Sequence, residues 1–215
     1  MSVGDLETRE AEPVKESSIA FLNSAVVFGL FGVRRMHSHL TENKDVGVAR
    51  GEIRLTTESG ITYERRPLDF QRVNISDTRP ASQSMYAITL GEGDNQLSVG
   101  RGRVEDGGNI LESGTYLQVG GEVFEARTIE PSGTDWQYGL RTIWQRPTSV
   151  GPESFVTSQE LAAKYPEQIA NAVKTISNVT GFSESNIPFL DDHGIVDICQ
   201  KVAAEVAVKG KVVES

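Results

Sequence analysis

Hydrophobic and polar residues alternate along the middle of the chain. Ile53 and Leu55 form one apolar face, and Ile61 and Tyr63 form the next after a short polar turn. Because successive side chains of a strand point to opposite faces, this period predicts strands that are buried on one side. The pattern recurs at regular intervals with glycine-rich turns, which predicts seven to nine short strands. We therefore expect a mainly β domain, an antiparallel sandwich or a small barrel, over residues 45–147.

A Gly120-Gly121 pair between two alternating runs is the clearest local signal. Glycine accepts the positive φ angles that a type I′ turn requires at both central positions. Such a turn sets the register of a hairpin in which Leu117 faces Phe124 across the ladder. Upstream, the run 100–109 is rich in glycine and charge, and it predicts an exposed loop or a distorted strand edge.

Residues 1–44 are expected to form a charged N-terminal arm followed by an apolar segment, Ile19–Val33. This segment has fifteen residues, whereas a membrane helix needs roughly 20, so burial within the protein is favoured and a membrane is not expected as a partner. The segment is apolar on all sides, and its pattern fits a helix or a strand equally well. The acidic N-terminus differs from the basic start of a secretory signal.

Helical signals replace the alternation in residues 148–215, which predicts a linker and a C-terminal helical module. Thr157 and Glu160 match a capping box at the start of a first helix. Pro166 suits the first turn of a second helix, and Gly181 suits its end. The apolar positions of the second and third helices are Ile169, Val173, Ile176, Ile195, Cys199, Val202 and Val206.

The third helix is expected to begin at a cap formed by Asp191 or Asp192 and to end near Gly210. The core of this helical module is thin. Five or six buried aliphatic side chains, at about 1.5–3 kcal/mol each, do not clearly exceed the chain entropy that folding removes. The module is therefore expected to be stabilised by packing against the β domain or against another chain.

The net charge of −9 is unevenly distributed along the chain. Residues 34–103 carry eleven basic and nine acidic residues, and most of the bases are arginines. Because guanidinium groups suit contacts with carboxylates, Arg65, Arg66, Arg101 and Arg103 are candidate interface residues, on strand edges that would meet acidic surfaces of a neighbouring subunit. Acidic residues interleave with the basic clusters, so nucleic acid is not expected as a specific ligand.

No arrangement typical of catalysis stands out, so we expect no enzymatic activity and no cofactor. His37 and His39 would lie on one side of a strand and, with His193, suggest a metal-dependent hydrolase as one alternative, although no further ligand has convincing spacing. The single cysteine, Cys199, excludes an internal disulfide and fits a reducing compartment. Its place among apolar positions predicts that it is packed rather than reactive.

Three aromatic residues, Trp136, Tyr138 and Trp144, share one side of a predicted strand. Aromatic rows of this kind most often fill a core or a protein interface, so these residues join the arginines as interface candidates. The alternative is a carbohydrate- or ligand-binding β-sandwich module in which their rings contact the ligand.

The run GTYLQVGGEVFEARTIEPSGTDWQYGLRTIW resembles the final strands of small β-barrel structural proteins of tailed-bacteriophage virions, of the head–tail connector, head-closure and tail-completion type. The resemblance implies a structural subunit of a multimeric assembly in a virion neck, tail or baseplate, which contacts copies of itself and other assembly proteins. It implies no catalytic residues. The expected location is the virion if the protein is viral and the cytoplasm otherwise. The matching residues are Leu117, Val119, Gly121, Phe124, Gly133, Asp135, Gly139 and Leu140.

Overall fold

The structure of the protein is a computed structural model that describes residues 14–42, 53–67, 82–106, 109–129, 141–147 and 151–214. One antiparallel sheet of nine strands forms its centre, which confirms the expected antiparallel architecture. The strands are β1 (Ile53–Thr56), β2 (Ile61–Pro67), β3 (Ser82–Leu90), β4 (Leu97–Asp106), β5 (Asn109–Val119), β6 (Glu122–Ile129), β7 (Arg141–Gln145), β8 (Phe155–Thr157) and β9 (Lys211–Glu214). Their order across the sheet is β8-β7-β6-β5-β4-β3-β2-β1-β9.

The sheet is open, because the outermost strands β8 and β9 each pair with a single neighbour in the described part of the chain. A barrel requires the first and last strands to pair. The small-barrel alternative is therefore wrong, and a sandwich fits in which helices provide the second layer. These helices are α1 (Glu16–Val27), a π-helical segment (Phe28–Val33), α2 (Arg34–Glu42), α3 (Ser158–Lys164), α4 (Pro166–Thr180) and α5 (Asp192–Lys209). None of the helices within the described ranges is long and apolar enough to cross a membrane.

The hairpin of β5 and β6 has the expected geometry. Gly120 and Gly121 adopt φ angles of 56° and 79°, and Leu117 pairs with Phe124. These positive φ angles explain why two glycines occupy the turn, since a Cβ atom disfavours this region of backbone conformation. The turn is therefore set by local chemistry, and the register of both strands follows from it.

The expected exposed loop at residues 100–109 is wrong, because β4 and β5 extend through most of it. The alternative of a distorted strand edge fits only in its distortion, since the register of the β4–β5 ladder shifts once near the end of β4, whereas both strands lie in the interior of the sheet. Glycines in this stretch make room for side chains rather than break the strand. A Cβ atom at Gly100 would lie 2.8 Å from the Met85 sulfur, and the ring of Tyr116 occupies the space in front of Gly102.

The apolar segment Ile19–Val33 is helical and belongs to the core. α1, the π-helical segment and α2 follow one another without interruption. Two glycines bring this helix close to both of its neighbours. A Cβ atom at Gly29 would lie 2.7 Å from Thr115 of β5, and one at Gly32 would lie 2.9 Å from the sulfur of Cys199 in α5. The segment is apolar on all sides because it is packed between the sheet and α5.

The C-terminal helices begin and end where the sequence predicts. Thr157 caps α3 in a complete capping box. Pro166 opens α4, and Gly181 ends it with a φ of 76°. The Asp191 carboxylate caps α5 by accepting a hydrogen bond from the Gly194 amide at 2.9 Å. These helices share one hydrophobic core with α1 and the sheet, which confirms that the module packs against the β domain.

Candidate interaction surfaces

Two of the candidate arginines lie in one row across the inner face of the sheet, the face that the helices cover. The row consists of Arg65, Tyr86, Arg101 and Thr115 in the adjacent strands β2 to β5. The guanidinium carbon of Arg65 lies 5.6 Å from the centre of the Tyr86 ring. Arg101 donates from Nη1 to Thr115 Oγ1 at 3.3 Å. Because β2 and β4 are interior strands, these arginines lie away from the edges of the sheet.

The structure describes the side chains of none of four further interface candidates, Arg66, Arg103, Trp136 and Tyr138. The backbones of Arg66 and Arg103 lie in β2 and β4, while their side chains lie outside the described part of the structure. Trp136 and Tyr138 lie outside the described residues altogether. No interface role for these four residues is therefore tested by the geometry.

Trp144 lies in the hydrophobic core and is fully buried, at 0% exposure. Its Nε1 donates to the Ser158 hydroxyl at 3.1 Å, and that hydroxyl donates to Asn23 Oδ1 at 2.8 Å. The ring is thus covered by α1 and α3, and in the folded chain it contacts no solvent. The structure places Trp144 in the core, which is one of the roles that the sequence left open, rather than on an accessible interface or ligand surface, because the helical layer covers the strand face on which it lies.

Helix α2 adds positive charge beside the arginine row. Burial, and then the nearby charge of Arg34, lowers the pKa of Arg101. His37 lies against the same row, with Nδ1 3.2 Å from the Tyr63 hydroxyl and its ring centre 4.2 Å from that of Tyr86. Burial raises the pKa of Tyr63, so its hydroxyl stays neutral. This end of the inner face therefore combines cationic groups with the neutral hydroxyl of Tyr63.

The histidines do not form the chelate that the sequence suggested. His37 and His39 lie in helix α2 rather than in a strand. Residues two positions apart in a helix point about 200° away from each other around the helix axis. His37 is therefore partly buried while His39 is exposed. His193 lies in the first turn of α5. Among the described residues, no group of three or more His, Cys, Asp and Glu side chains could hold a metal ion.

A groove of about 600 Å³ separates α2 from α5. Its α2 wall carries two guanidinium groups, whereas the described residues of its α5 wall are uncharged. Cys199 lies at its base, is 1% exposed, and has a thiol whose pKa burial raises to about 12, which confirms that this cysteine is packed rather than reactive. The lining residues are Arg34, Arg35, Ser38 and His39 on α2, and Val196, Cys199, Gln200, Ala203 and Ala204 on α5.

The outermost strands of the sheet expose large apolar side chains. Phe155 in β8 is 48% exposed, and Val212 in β9 is 56% exposed. Beside Val212, the Lys211 ammonium forms an ion pair with Glu58 at 2.6 Å. β9 is not among the strands predicted from the sequence, although a short run with two adjacent valines directly after a helix-ending glycine is a recognisable strand signal.

The comparisons with known proteins identify no family for this chain. No protein-family model matches it. No curated protein matches it significantly. No solved structure matches it significantly.

Proposed function

We propose that the protein is a structural, non-enzymatic subunit of a multimeric assembly and that it acts through protein–protein contacts. The observation that carries the proposal is the open sheet, in which β8 and β9 each have one side without a described partner strand. The unpaired backbone groups of an edge strand are a template for a further strand, and natural proteins usually protect such edges. Both edge strands are short, and β9 carries Lys211, which are common forms of protection, but each edge also exposes a large apolar side chain, Phe155 or Val212.

The two edge strands run in the same direction. Every neighbouring pair in the sheet is antiparallel, and eight such pairings separate β8 from β9. Pairing of β8 in one copy with β9 in the next would extend the sheet from subunit to subunit. Such a head-to-tail contact closes into a ring or continues as a filament. We therefore infer that the partner at each edge is a second copy of this chain.

Light scattering coupled to size-exclusion chromatography tests the edge contact. Phe155→Lys and Val212→Lys each place a charge on one edge strand, and lysine at such a position disfavours strand addition. Phe189→Lys is the matched control, since Phe189 is 58% exposed but lies in a short 3₁₀ turn outside the sheet. We expect the wild type and the control to assemble with rising concentration, and both edge variants to remain smaller. A wild type that stays monomeric, or an edge variant that assembles like it, would show that the contact is wrong.

A narrower proposal is that the assembly is a bacteriophage virion and that the protein belongs to its neck, tail or baseplate. Its support is the resemblance of residues 114–144 to virion proteins that form rings through lateral contacts. The barrel of those proteins is not shared, since this sheet is open. Mass spectrometry of purified virions should detect the chain as a stoichiometric component. Its absence from virions would remove this assignment and leave the edge contact, which light scattering tests separately.

A further inference from the structure

The groove between α2 and α5 is a second candidate surface, separate from the sheet edges. We propose that it binds an amphipathic helix of a partner protein, and that the polar flank of this helix carries acidic residues. The inference does not depend on strand pairing between copies, because the groove is lined by helical residues only.

The α2 wall is positively charged in a chain whose net charge is −9. Arg34 and Arg35 are exposed, and no acidic residue occurs among the described residues that line the groove. Asp197, which follows Val196 along α5, is paired with Lys201 at 3.1 Å. The two arginines therefore create a local positive field that favours carboxylates of a partner.

The α5 wall supplies the uncharged half of the groove. Val196, Gln200 and Ala204 recur at every fourth residue and carry no charge. Val208 continues this row by one more turn and is 81% exposed. From the first to the last of these residues the row is about 18 Å long, which matches about three turns of a partner helix. Ala203 and Ala204 have small side chains, so a partner backbone can approach α5 closely.

A charged wall that faces an uncharged wall selects one kind of ligand. Nucleic acid presents charge along its whole backbone and would leave Val208 uncovered. A small anion would occupy only the side of Arg34 and Arg35. An amphipathic helix matches both walls, with apolar residues at i, i+3, i+4 and i+7 against α5 and carboxylates against the arginines. Opposite charges across the groove also steer the encounter and favour one orientation of the helix.

The probe is a designed, fluorescein-labelled helical peptide of about 14 residues, with leucine on one face and glutamate on its flank. The matched control peptide has lysine in place of each glutamate. Fluorescence anisotropy with the full chain measures the binding of both. We expect the glutamate peptide to bind with an affinity that falls as salt rises, and the lysine peptide to bind at least about tenfold more weakly. Equal binding of the two peptides, or no binding of the glutamate peptide, would overturn the proposal.

Three variants of the protein locate the binding site. Arg35→Glu reverses a charge on the α2 wall, and Ala204→Glu adds a carboxylate to the α5 wall. Each variant should therefore bind the glutamate peptide about tenfold more weakly than the wild type. Lys174→Glu makes the same charge change as Arg35→Glu at an exposed position of α4 and should stay within about twofold of the wild type. Arg35→Glu should also improve binding of the lysine peptide, which general loss of folding cannot do.

All three positions are exposed on helices, so far-UV circular dichroism should show the wild-type spectrum for each variant. Unchanged binding by Arg35→Glu and Ala204→Glu would place the peptide elsewhere. An equal loss in Lys174→Glu would show that only the overall charge of the protein matters. Either result would overturn the assignment of the groove.

Discussion

The approach of the N-terminal helix to α5 offers a direct test of how the core is packed. Gly32→Ala would place a Cβ atom 2.9 Å from the sulfur of Cys199, where non-bonded carbon atoms usually stay about 3.5–4.0 Å apart. Cys199 is 1% exposed, so its side chain is held among packed neighbours. Overpacking of this kind costs about 1–3 kcal/mol, and the better helix propensity of alanine offsets about 1 kcal/mol of it. We expect a net loss of about 1 kcal/mol in the free energy of unfolding.

A double-mutant cycle isolates this contact. Cys199→Ala removes the sulfur, so Gly32→Ala should be less destabilising in that background, with a coupling energy of about 1–2 kcal/mol from urea unfolding curves. Gly29→Ala is the matched control, since its Cβ atom would meet Thr115 at 2.7 Å and Val99 at 2.8 Å instead. Its cost should be the same with and without Cys199→Ala. Additivity of Gly32→Ala and Cys199→Ala within about 0.5 kcal/mol would refute the packing of this helix against α5.

Three other measurements examine single contacts. The Cys199 thiol should react with Ellman's reagent only after unfolding, because it is buried and its pKa is about 12; rapid reaction of the folded protein would contradict this packing. Glu122 accepts hydrogen bonds from Lys164 at 2.5 Å and from Tyr165, which lowers its pKa. Its stabilising contribution is therefore complete above the ordinary glutamate pKa of about 4.3 and is lost as the pH falls through the lower folded value. Glu122→Gln should flatten the acid limb of the curve of stability against pH, and identical curves would count against the contact. Thr157→Ala should lower the free energy of unfolding by about 1 kcal/mol because α3 loses its cap. Thr157→Ser keeps a hydroxyl that can cap the helix, so its free energy of unfolding should stay close to that of the wild type. Equal losses in the two variants would exclude a capping role.

Elements that depend on neighbours in the chain could be predicted from the sequence. The register of the β5–β6 hairpin follows from Gly120 and Gly121, because the φ angles of a two-residue turn determine which residues pair. The start of α3 at Thr157 follows from a capping box that involves four consecutive residues. The glycines of β4 do not break the strand, because Gly100 makes room for Met85 and Gly102 for the Tyr116 ring, and both of these side chains belong to other strands.

The candidate surfaces could not be predicted, because their residues come together only in the fold. Arg65 and Arg101 become neighbours of Tyr86 through strand pairing. The groove joins an arginine-bearing turn of α2 to a helix from the other end of the chain. Trp144 lies between Ile143 and Gln145, and its burial depends on which face of the sheet α1 and α3 cover.

The strand alternation, the Gly120-Gly121 turn and the boundaries of the three C-terminal helices can be read from the sequence, because periodicity, turns and helix-end signals act over a few residues. That Ile19–Val33 is a helix follows only from tertiary packing, because a segment buried on several sides loses the periodicity that would reveal it. The tertiary structure also decided that the sheet stays open and that α2 and α5 enclose a charged groove. Those outcomes depend on how distant segments pack, and packing across long separations leaves no signature in a local pattern.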